Sequence, residues 1–152
     1  MGRPYVLMQP DIEGIKLIQG FEQCRLTAYM PIAKDKPTIG WGSTGPDIHI
    51  GLTWTQAQCD ARFVQDLNRF AVSVSQLITG HPTTENQFDA LVSLAYNIGT
   101  HALSISTLLR DHNAGNYVAT ADQFLLWNHQ AGMILAGLTR RRQAERSLYL
   151  RR

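Results

Sequence analysis

The stretch "GFEQCRLTAYMPIAKDKPTIGWGST", residues 20–44, carries most of the information about the fold. It contains a glutamate, Glu22, at the expected end of a helix, and then a run of residues that has no helical period. Prolines and glycines break residues 25–50 into short pieces, and apolar and polar side chains alternate around Thr38. This pattern predicts a small β-rich lobe that begins directly after a helix.

The sequence on either side predicts helices. Residues 11–22, "DIEGIKLIQGFE", have apolar side chains at helical spacing behind a possible N-cap, Asp11. Capping-box spacing then occurs twice, and Gly99 follows the second predicted helix as a stop signal. The further predicted helices are a long one from about residue 55 to 78, one with a stripe of Phe88, Leu91, Val92 and Ala95, and shorter ones at 105–113, 117–128 and 140–150. The prediction is therefore an α+β fold in one domain, residues 1–152, with a β-rich lobe at about 23–54 and a helical lobe at about 55–152 that includes helix 11–22.

Composition is that of an ordinary globular domain of 152 residues with a formal net charge of +2. No apolar run has the length of a membrane span, and the first residues lack the order of a signal peptide. We therefore expect no stable membrane insertion and no signal peptide. Cys24 and Cys59 fall in apolar contexts that indicate helices, so we expect two buried free thiols; the alternative is one intramolecular disulfide.

Residues 139–152, "TRRRQAERSLYLRR", hold six arginines and one glutamate. Such a segment can bind nucleic acid, an anionic cell surface or a nearby carboxylate. The simpler interpretation is a solvated final helix that docks through Leu148 and Leu150.

Glu22 lies four residues after Ile18 and seven after Ile15, so a continuous helix would place its carboxylate on the apolar face. Partial burial and the negative end of the helix dipole both favour the protonated carboxyl group. Glu22 is therefore a candidate general acid. The alternative is an ordinary glutamate paired with Arg25 or with one of the C-terminal arginines.

Six motifs extend this interpretation along the chain. They are, in order, "FEQCRLTAY", "PTIGWGSTG", "GLTWTQAQ", "NQFDALVSLAYNIG", "FLLWN" and "RRRQAERSLYL". In this order they resemble the phage-type lysozymes, the endolysins of glycoside hydrolase family 24, and the resemblance covers about residues 11–150. The resemblance implies a lysozyme-like two-lobed fold with a saccharide cleft. It also implies hydrolysis of the β-1,4 bond between N-acetylmuramic acid and N-acetylglucosamine in peptidoglycan.

The resemblance assigns roles to four residues. Glu22 matches the proton donor of the family, and Thr38 in "PTIG" matches the threonine that helps to position the attacking water. Tyr96 and Asn97 in "AYNIG" match an aromatic and amide pair that lines the sugar cleft, which suits neutral N-acetyl sugars. For Tyr96 the alternative is packing in the core. Arg140, Arg141, Arg142 and Arg146 match the basic final helix of the family, and one of them is a possible partner of Glu22.

The sequence departs from the family pattern at two positions. The family aspartate next but one after the tyrosine of "AY" is replaced by Pro31, which cannot act as a base. The nearest substitute is Asp35, whose "KDKP" context is equally typical of a solvated turn. Ser43 stands where the family has a structural histidine, so we expect an effect on stability more than on chemistry.

Three functional hypotheses follow. The first is a peptidoglycan hydrolase that uses Glu22, Thr38 and Asp35, and the second is a lytic transglycosylase that uses Glu22 alone and releases anhydro-sugar ends. The third is a protein without activity, either a sugar-binding lysozyme-like domain or a nucleic-acid binder that uses the arginine-rich end.

The first hypothesis implies a monomer that binds peptidoglycan and no nucleic acid. Such a protein is made in the host cytoplasm and acts in the periplasm or cell wall after a holin or similar protein gives access. The five histidines are scattered without ligand spacing and are each expected at the surface or at a cap. We therefore expect neither a metal nor another cofactor.

Overall fold

The computed structural model describes residues 5–31 and 36–152, which form seven helices and four short strands within those ranges. The elements are α1 (Ile12–Glu22), β1 (Arg25–Tyr29), β2 (Thr38–Gly40), α2 (Gln56–Leu77), α3 (Glu85–Ile98), α4 (Thr100–Ser104), α5 (Thr107–Asn113), α6 (Tyr117–Phe124), β3 (His129–Gln130), β4 (Met133–Ile134) and α7 (Ala136–Leu150). The predicted α+β class is confirmed. Among the described residues, no helix is long and apolar enough to cross a membrane.

The chain divides into two compact units. The first contains residues 1–18 and 70–152, and the second contains residues 19–69. The second unit is larger than the β-rich lobe predicted at about 23–54, because the first half of α2 belongs to it. Both α1 and α2 contribute residues to each unit.

The second unit is built around the antiparallel pair β1–β2, in which Arg25 lies opposite Gly40 and Tyr29 lies opposite Thr38. Its apolar cluster consists of Ala28, Ile39 and Ile48, with Leu52 and Trp54 packed against it. Gly40 has φ +64°, and a Cβ atom there would lie 3.3 Å from the Cβ atom of Cys59. Glycine is therefore favoured at this position for two reasons: it tolerates the positive φ, and it has no side chain that would crowd Cys59.

The predicted helix starts are confirmed by their capping hydrogen bonds. The Oδ1 atom of Asp11 accepts from the backbone N–H of Glu13 at 3.0 Å at the start of α1. At the start of α2, Thr55 Oγ1 accepts from the Gln58 N–H at 3.1 Å, and Gln58 Oε1 accepts from the Thr55 N–H at 2.8 Å. Thr84 and Gln87 form the same capping box at α3. These contacts satisfy backbone donors that the first helical turn leaves without partners.

Helix α3 is buried on every side, and the apolar stripe predicted for it is only part of its contact surface. All ten residues from Gln87 to Tyr96 are buried. Polar residues outside this stripe, such as Asp89 and Ser93, are fully enclosed as well. A helix in the centre of a helical unit must provide hydrogen-bond partners or charge compensation for each such group.

The C-terminal part differs from the sequence prediction in its boundaries. The segment predicted as helix 117–128 ends at Phe124, and a hairpin of β3 and β4 follows before α7 begins at Ala136. Ala131 and Gly132, the two residues between these strands, have φ +49° and φ +78°. Positive φ at both central residues is the geometry of a type I′ hairpin turn. The sequence "QAGM" lacks the Asn-Gly pair that usually predicts such a turn.

The two cysteines are free thiols. Cys59 is buried in α2, whereas Cys24 lies between α1 and β1 and is only partly buried. The helical, buried interpretation of Cys24 was therefore wrong, because α1 ends at Glu22.

His112 is a core residue, so the expectation of a surface or capping histidine was wrong at this position. Its side chain is 1% exposed. The Nδ1 atom lies 2.6 Å from the Tyr149 hydroxyl, and the Nε2 atom lies 2.8 Å from Thr83 Oγ1. A neutral imidazole can share one donor and one acceptor with two hydroxyl groups. Burial lowers the pKa of His112 to about 4.

This pKa predicts that the protein loses stability in mild acid. Between pH 6.5 and pH 4 the unfolded chain binds a proton at this histidine and the folded chain does not, so the free energy of unfolding falls with pH by up to about 3 kcal/mol. Urea unfolding at pH 7 and pH 4.5 measures the fall, and His112→Gln should reduce it. Replacement of the exposed His49 by Gln is the control. Equal pH dependence in the parent and His112→Gln would contradict the prediction.

Candidate active site

Glu22 is the last residue of α1 and is partly buried. The next residue, Gln23, has φ +54°, a conformation that few residues other than glycine adopt. The chain therefore turns sharply after Glu22 and enters β1 at Arg25. This local geometry places Glu22 at the junction of a helix and a strand, as predicted from the change of pattern in the sequence.

Tyr29 lies close enough to Glu22 for the two groups to interact electrostatically. Burial raises the pKa of the Tyr29 hydroxyl, the positive charge of Arg25 lowers it, and the carboxylate of Glu22 raises it. The guanidinium carbon of Arg25 lies 4.3 Å from the centroid of the Tyr29 ring. Arg25 and Tyr29 are thus neighbours of the predicted acid.

Sequence reasoning gave no role to Tyr29 and considered Arg25 only as an ion-pair partner. A usable signal was present, since residues 25, 27 and 29 share one face of a strand that begins just after Glu22.

Thr38 is buried at 2% exposure and lies opposite Tyr29 in the β1–β2 pair. Its Oγ1 atom donates a hydrogen bond to the Lys36 carbonyl oxygen at 3.1 Å, which fixes the hydroxyl orientation. Tyr29 therefore connects the two predicted catalytic positions, because it interacts with Glu22 on one side and pairs with Thr38 on the other.

The second carboxylate is not identified in the described part of the chain. Pro31, partly buried, stands where the family pattern has an aspartate. The substitute considered above, Asp35, lies outside the described residues. The role of Asp35 stays a prediction.

Tyr96 and Asn97 lie at the end of α3, in the first unit. Tyr96 is 5% exposed, and its ring centroid lies 5.1 Å from that of Phe70. Such burial favours a packing role for the Tyr96 ring. Asn97 is only partly buried, so of the two it is better placed to meet a sugar. Their contact with substrate stays a prediction.

Carboxylate partners lie within the same unit for three arginines of α7. Arg141 and Arg142 contact Glu145, and the half-buried Arg146 donates to Asp122 at 3.0 Å. Of the two leucines expected to dock, Leu148 is buried at 2% exposure and Leu150 is 43% exposed. The final helix is therefore not simply a solvated basic face, because Arg141, Arg142 and Glu145 are among its most buried residues.

Ser43 belongs to a buried polar network close to β2. Its Oγ atom donates to Asp66 Oδ2 at 2.7 Å. The other oxygen of Asp66 accepts from Arg62 Nε at 3.3 Å and from Arg69 Nη2 at 3.2 Å. This arrangement fits the structural role that the sequence predicted for position 43, since Ser43 satisfies one oxygen of a buried carboxylate.

Ser43→Ala is expected to lower the free energy of unfolding by about 2 kcal/mol, because a buried carboxylate oxygen loses its hydrogen-bond donor. Urea denaturation at pH 7 measures this change. The control is Ser104→Ala, which removes a hydroxyl that donates to the His101 carbonyl oxygen of its own helical turn. We expect less than about 0.5 kcal/mol there. A similar loss of unfolding free energy in both variants would show that the Ser43–Asp66 hydrogen bond stabilises the protein no more than the exposed one at Ser104 does.

A groove of about 930 Å³ lies elsewhere in the first unit. Tyr5, Val6 and Met8 line it together with residues 75, 76 and 78–83. None of the four residues assigned to catalysis or sugar binding within the described ranges belongs to this lining. The groove therefore adds nothing to the candidate active site.

Comparison with known proteins places these residues in a family context. The family described as phage lysozyme matches residues 19–145, which include Glu22, Thr38, Tyr96 and Asn97. The chain belongs to the phage lysozyme family. Within this family, the endolysin of Bacillus phage B103 is 41% identical over 138 residues, which cover 90% of this chain and 52% of the relative.

Two other relatives of this chain match over nearly their whole length. The endolysin of Salmonella phage P22 is 39% identical over 148 residues, covering 95% of this chain and 99% of the relative. The solved structure of the endolysin from Escherichia coli O157:H7 phage FAHEc1 has a TM-score of 0.85 and 37% identity, covering 97% of this chain and 96% of that one. The lysozyme-like fold predicted from the motifs is confirmed. The chain spans only 52–60% of the length of several other matching endolysins.

Proposed function

We propose that this chain is a peptidoglycan muramidase that hydrolyses the β-1,4 bond between N-acetylmuramic acid and N-acetylglucosamine. The observation that carries the proposal is the position of Glu22 at the end of α1, beside Tyr29 and the β1–β2 pair, in a member of the phage lysozyme family. Family membership alone would support the fold. The glutamate supplies the chemistry, because cleavage of a glycosidic bond needs an acid at the leaving oxygen.

In the proposed mechanism Glu22 donates its proton to the glycosidic oxygen as the bond to the muramic acid carbon breaks. The helix end and the turn at Gln23 set the backbone position from which the Glu22 carboxyl group extends. Arg25 and Tyr29 supply a positive charge and a phenol next to it. These groups influence the electrostatic potential at the acid.

The attacking water is proposed to bind at Thr38. The Thr38 hydroxyl uses its proton for the Lys36 carbonyl oxygen, so toward a water it acts as an acceptor. In an inverting hydrolysis a second carboxylate takes the proton of this water from the opposite face of the sugar. We assign this step to Asp35, since Pro31 has no acidic group and Asp35 is the next carboxylate before Thr38.

The remaining elements of the proposal concern partners and location. We propose a monomer that acts on peptidoglycan and on no nucleic acid. The carboxylate partners of Arg141, Arg142 and Arg146 support this, because these charges are compensated within the protein. We further propose synthesis in the host cytoplasm, with a holin giving access to the periplasm or cell wall. Asn97 and Tyr96 are proposed to contact the N-acetyl sugars.

Product analysis in heavy-oxygen water tests the reaction type directly. Purified peptidoglycan is digested in H₂¹⁸O and the released muropeptides are examined by mass spectrometry. Reducing ends that carry the heavy oxygen support hydrolysis. Anhydro ends, lighter by one water, would assign the chain to the lytic transglycosylases, a class that the missing carboxylate at Pro31 makes a real alternative. Binding of peptidoglycan without products would indicate a non-catalytic domain.

A further inference from the structure

Three acidic side chains converge in the first unit at the N-terminal ends of two helices. They are Asp11, the N-cap of α1, Glu85, the first residue of α3, and Asp89, one turn further along α3. One carboxylate oxygen from each lies within 4.8 Å of the other two. Sequence patterns for metal ligands did not reveal this cluster, because Asp11 is 74 residues from Glu85 in the chain.

Asp89 is the unusual member of this cluster. It is 0% exposed, and neither of its carboxylate oxygens has a hydrogen-bond donor among the described residues. Its Cβ, Cγ and Oδ2 atoms lie only 2.8–3.0 Å from where a Cβ atom on Gly14 would be, so a larger residue in α1 would displace it. A carboxylate that is buried without a donor or a positive partner is strongly unfavourable.

The surrounding charges increase this cost. Carboxylate oxygens of Asp11 and Glu85 lie within 4.8 Å of an oxygen of the buried Asp89, so negative charges on these three groups repel one another. The backbone N–H groups of Glu13 and Gly14 donate to Asp11 Oδ1 at 3.0 Å and 3.4 Å, which favours the ionised form of this carboxyl group. Arg151, a neighbouring cation at this end of the unit, pairs with Glu13 at 3.6 Å. Either a proton or a cation must therefore occupy the space between the carboxylates.

We propose that Asp11, Glu85 and Asp89 form a binding site for a hard divalent cation such as Ca²⁺. The donor atoms are all carboxylate oxygens, which such cations prefer, and Ca²⁺ takes its ligands at roughly 2.3–2.6 Å. Oxygens placed on opposite sides of such an ion are at most about 5 Å apart, so the observed separations fit one ion. A single proton joins only two oxygens, whereas three carboxylates converge here. Asp11 is exposed, which gives an ion a path from solvent.

Thermal unfolding of the full chain tests this site. After treatment with EDTA, the protein is unfolded at pH 7.5 with and without millimolar CaCl₂ or MgCl₂ at constant ionic strength. We expect at least one of these cations to raise Tm by roughly 5 °C or more at saturation, because a ligand bound only to the folded chain stabilises it. Asp89→Asn should abolish the response and, in EDTA, should have a higher Tm than the parent protein. Glu13→Gln, which removes a carboxylate next to Asp11 but outside the cluster, should keep the full response.

A second measurement covers the possibility that Asp89→Asn changes the folding of α3. Calorimetric titration of the parent and of Asp11→Asn with CaCl₂ and MgCl₂ compares affinities, since Asn still caps α1 and Asp11 is not in the core. We expect the dissociation constant to rise at least tenfold in Asp11→Asn. The proposal is overturned if neither cation changes Tm of the parent protein, or if the parent and Asp89→Asn respond equally. In either case the carboxylates share a proton instead. These readouts are independent of activity on peptidoglycan.

Discussion

Glu22→Gln is expected to reduce turnover on purified peptidoglycan by roughly 10³-fold or more, with little change in stability. Glutamine keeps the shape of the side chain at the end of α1 but has no acidic proton to give to the leaving oxygen. The loss should appear in kcat, because the interaction exists only in the transition state. Release of muropeptides, followed by chromatography under initial-rate conditions, measures the effect.

The matched control is Glu13→Gln in the same helix. Glu13 is in the first turn of α1, its side chain is 52% exposed and its contact with Arg151 is long, at 3.6 Å. We expect activity within about twofold of the parent and a stability change below about 0.5 kcal/mol. If Glu22→Gln retained more than about one tenth of the parent activity, Glu22 would not be the proton donor.

Glu145→Ala is expected to lower the free energy of unfolding by about 3–5 kcal/mol. Glu145 is fully buried, and its Oε2 atom accepts from Ser93 Oγ at 2.5 Å, from Arg141 Nε at 3.2 Å and from Arg142 Nη2 at 3.1 Å. Removal of this carboxylate leaves two buried guanidinium groups without the charge that they share. It also breaks a contact between α3 and α7.

Asp122→Asn provides the comparison for this prediction, because it removes the carboxylate partner of Arg146 at the exposed side of α7. The two side chains of that pair are 36% and 59% exposed, so water already screens it. We expect a cost below about 1 kcal/mol. Urea unfolding of the parent and both variants at pH 7 gives the comparison. A cost below about 1 kcal/mol for Glu145→Ala would mean that the buried arginines are adequately compensated by other groups.

Features that depend on neighbouring residues could be predicted from the sequence. The N-cap at Asp11 and the capping boxes at Thr55 and Thr84 were found from residues three positions apart, and the structure confirms each of them. The turn geometry at Gly99, with φ +94°, follows in the same way from a residue type that tolerates this conformation. Glu22 and Thr38 were found because they stand in a short, motif-rich stretch.

Other local features were missed because their usual signal was absent. The β3–β4 hairpin turns at Ala131 and Gly132 without the residues that normally indicate such a turn. The helix predicted at 117–128 is too long for the same reason. It includes residues before the hairpin, whereas α6 ends at Phe124. Cys24 was placed on a helix that ends two residues earlier, at Glu22.

The class of the fold, the helix starts and the stretch that holds the candidate acid can be predicted from the sequence, because these depend on contacts within a few residues. Which polar groups are buried, and which groups compensate them, depends on tertiary packing. His112 reaches Tyr149, Glu145 meets Ser93, and Asp89 meets Asp11, across separations of 37, 52 and 78 residues. The environment of a buried charge is set by side chains that packing brings together from distant segments. A local sequence pattern does not indicate which segments those are.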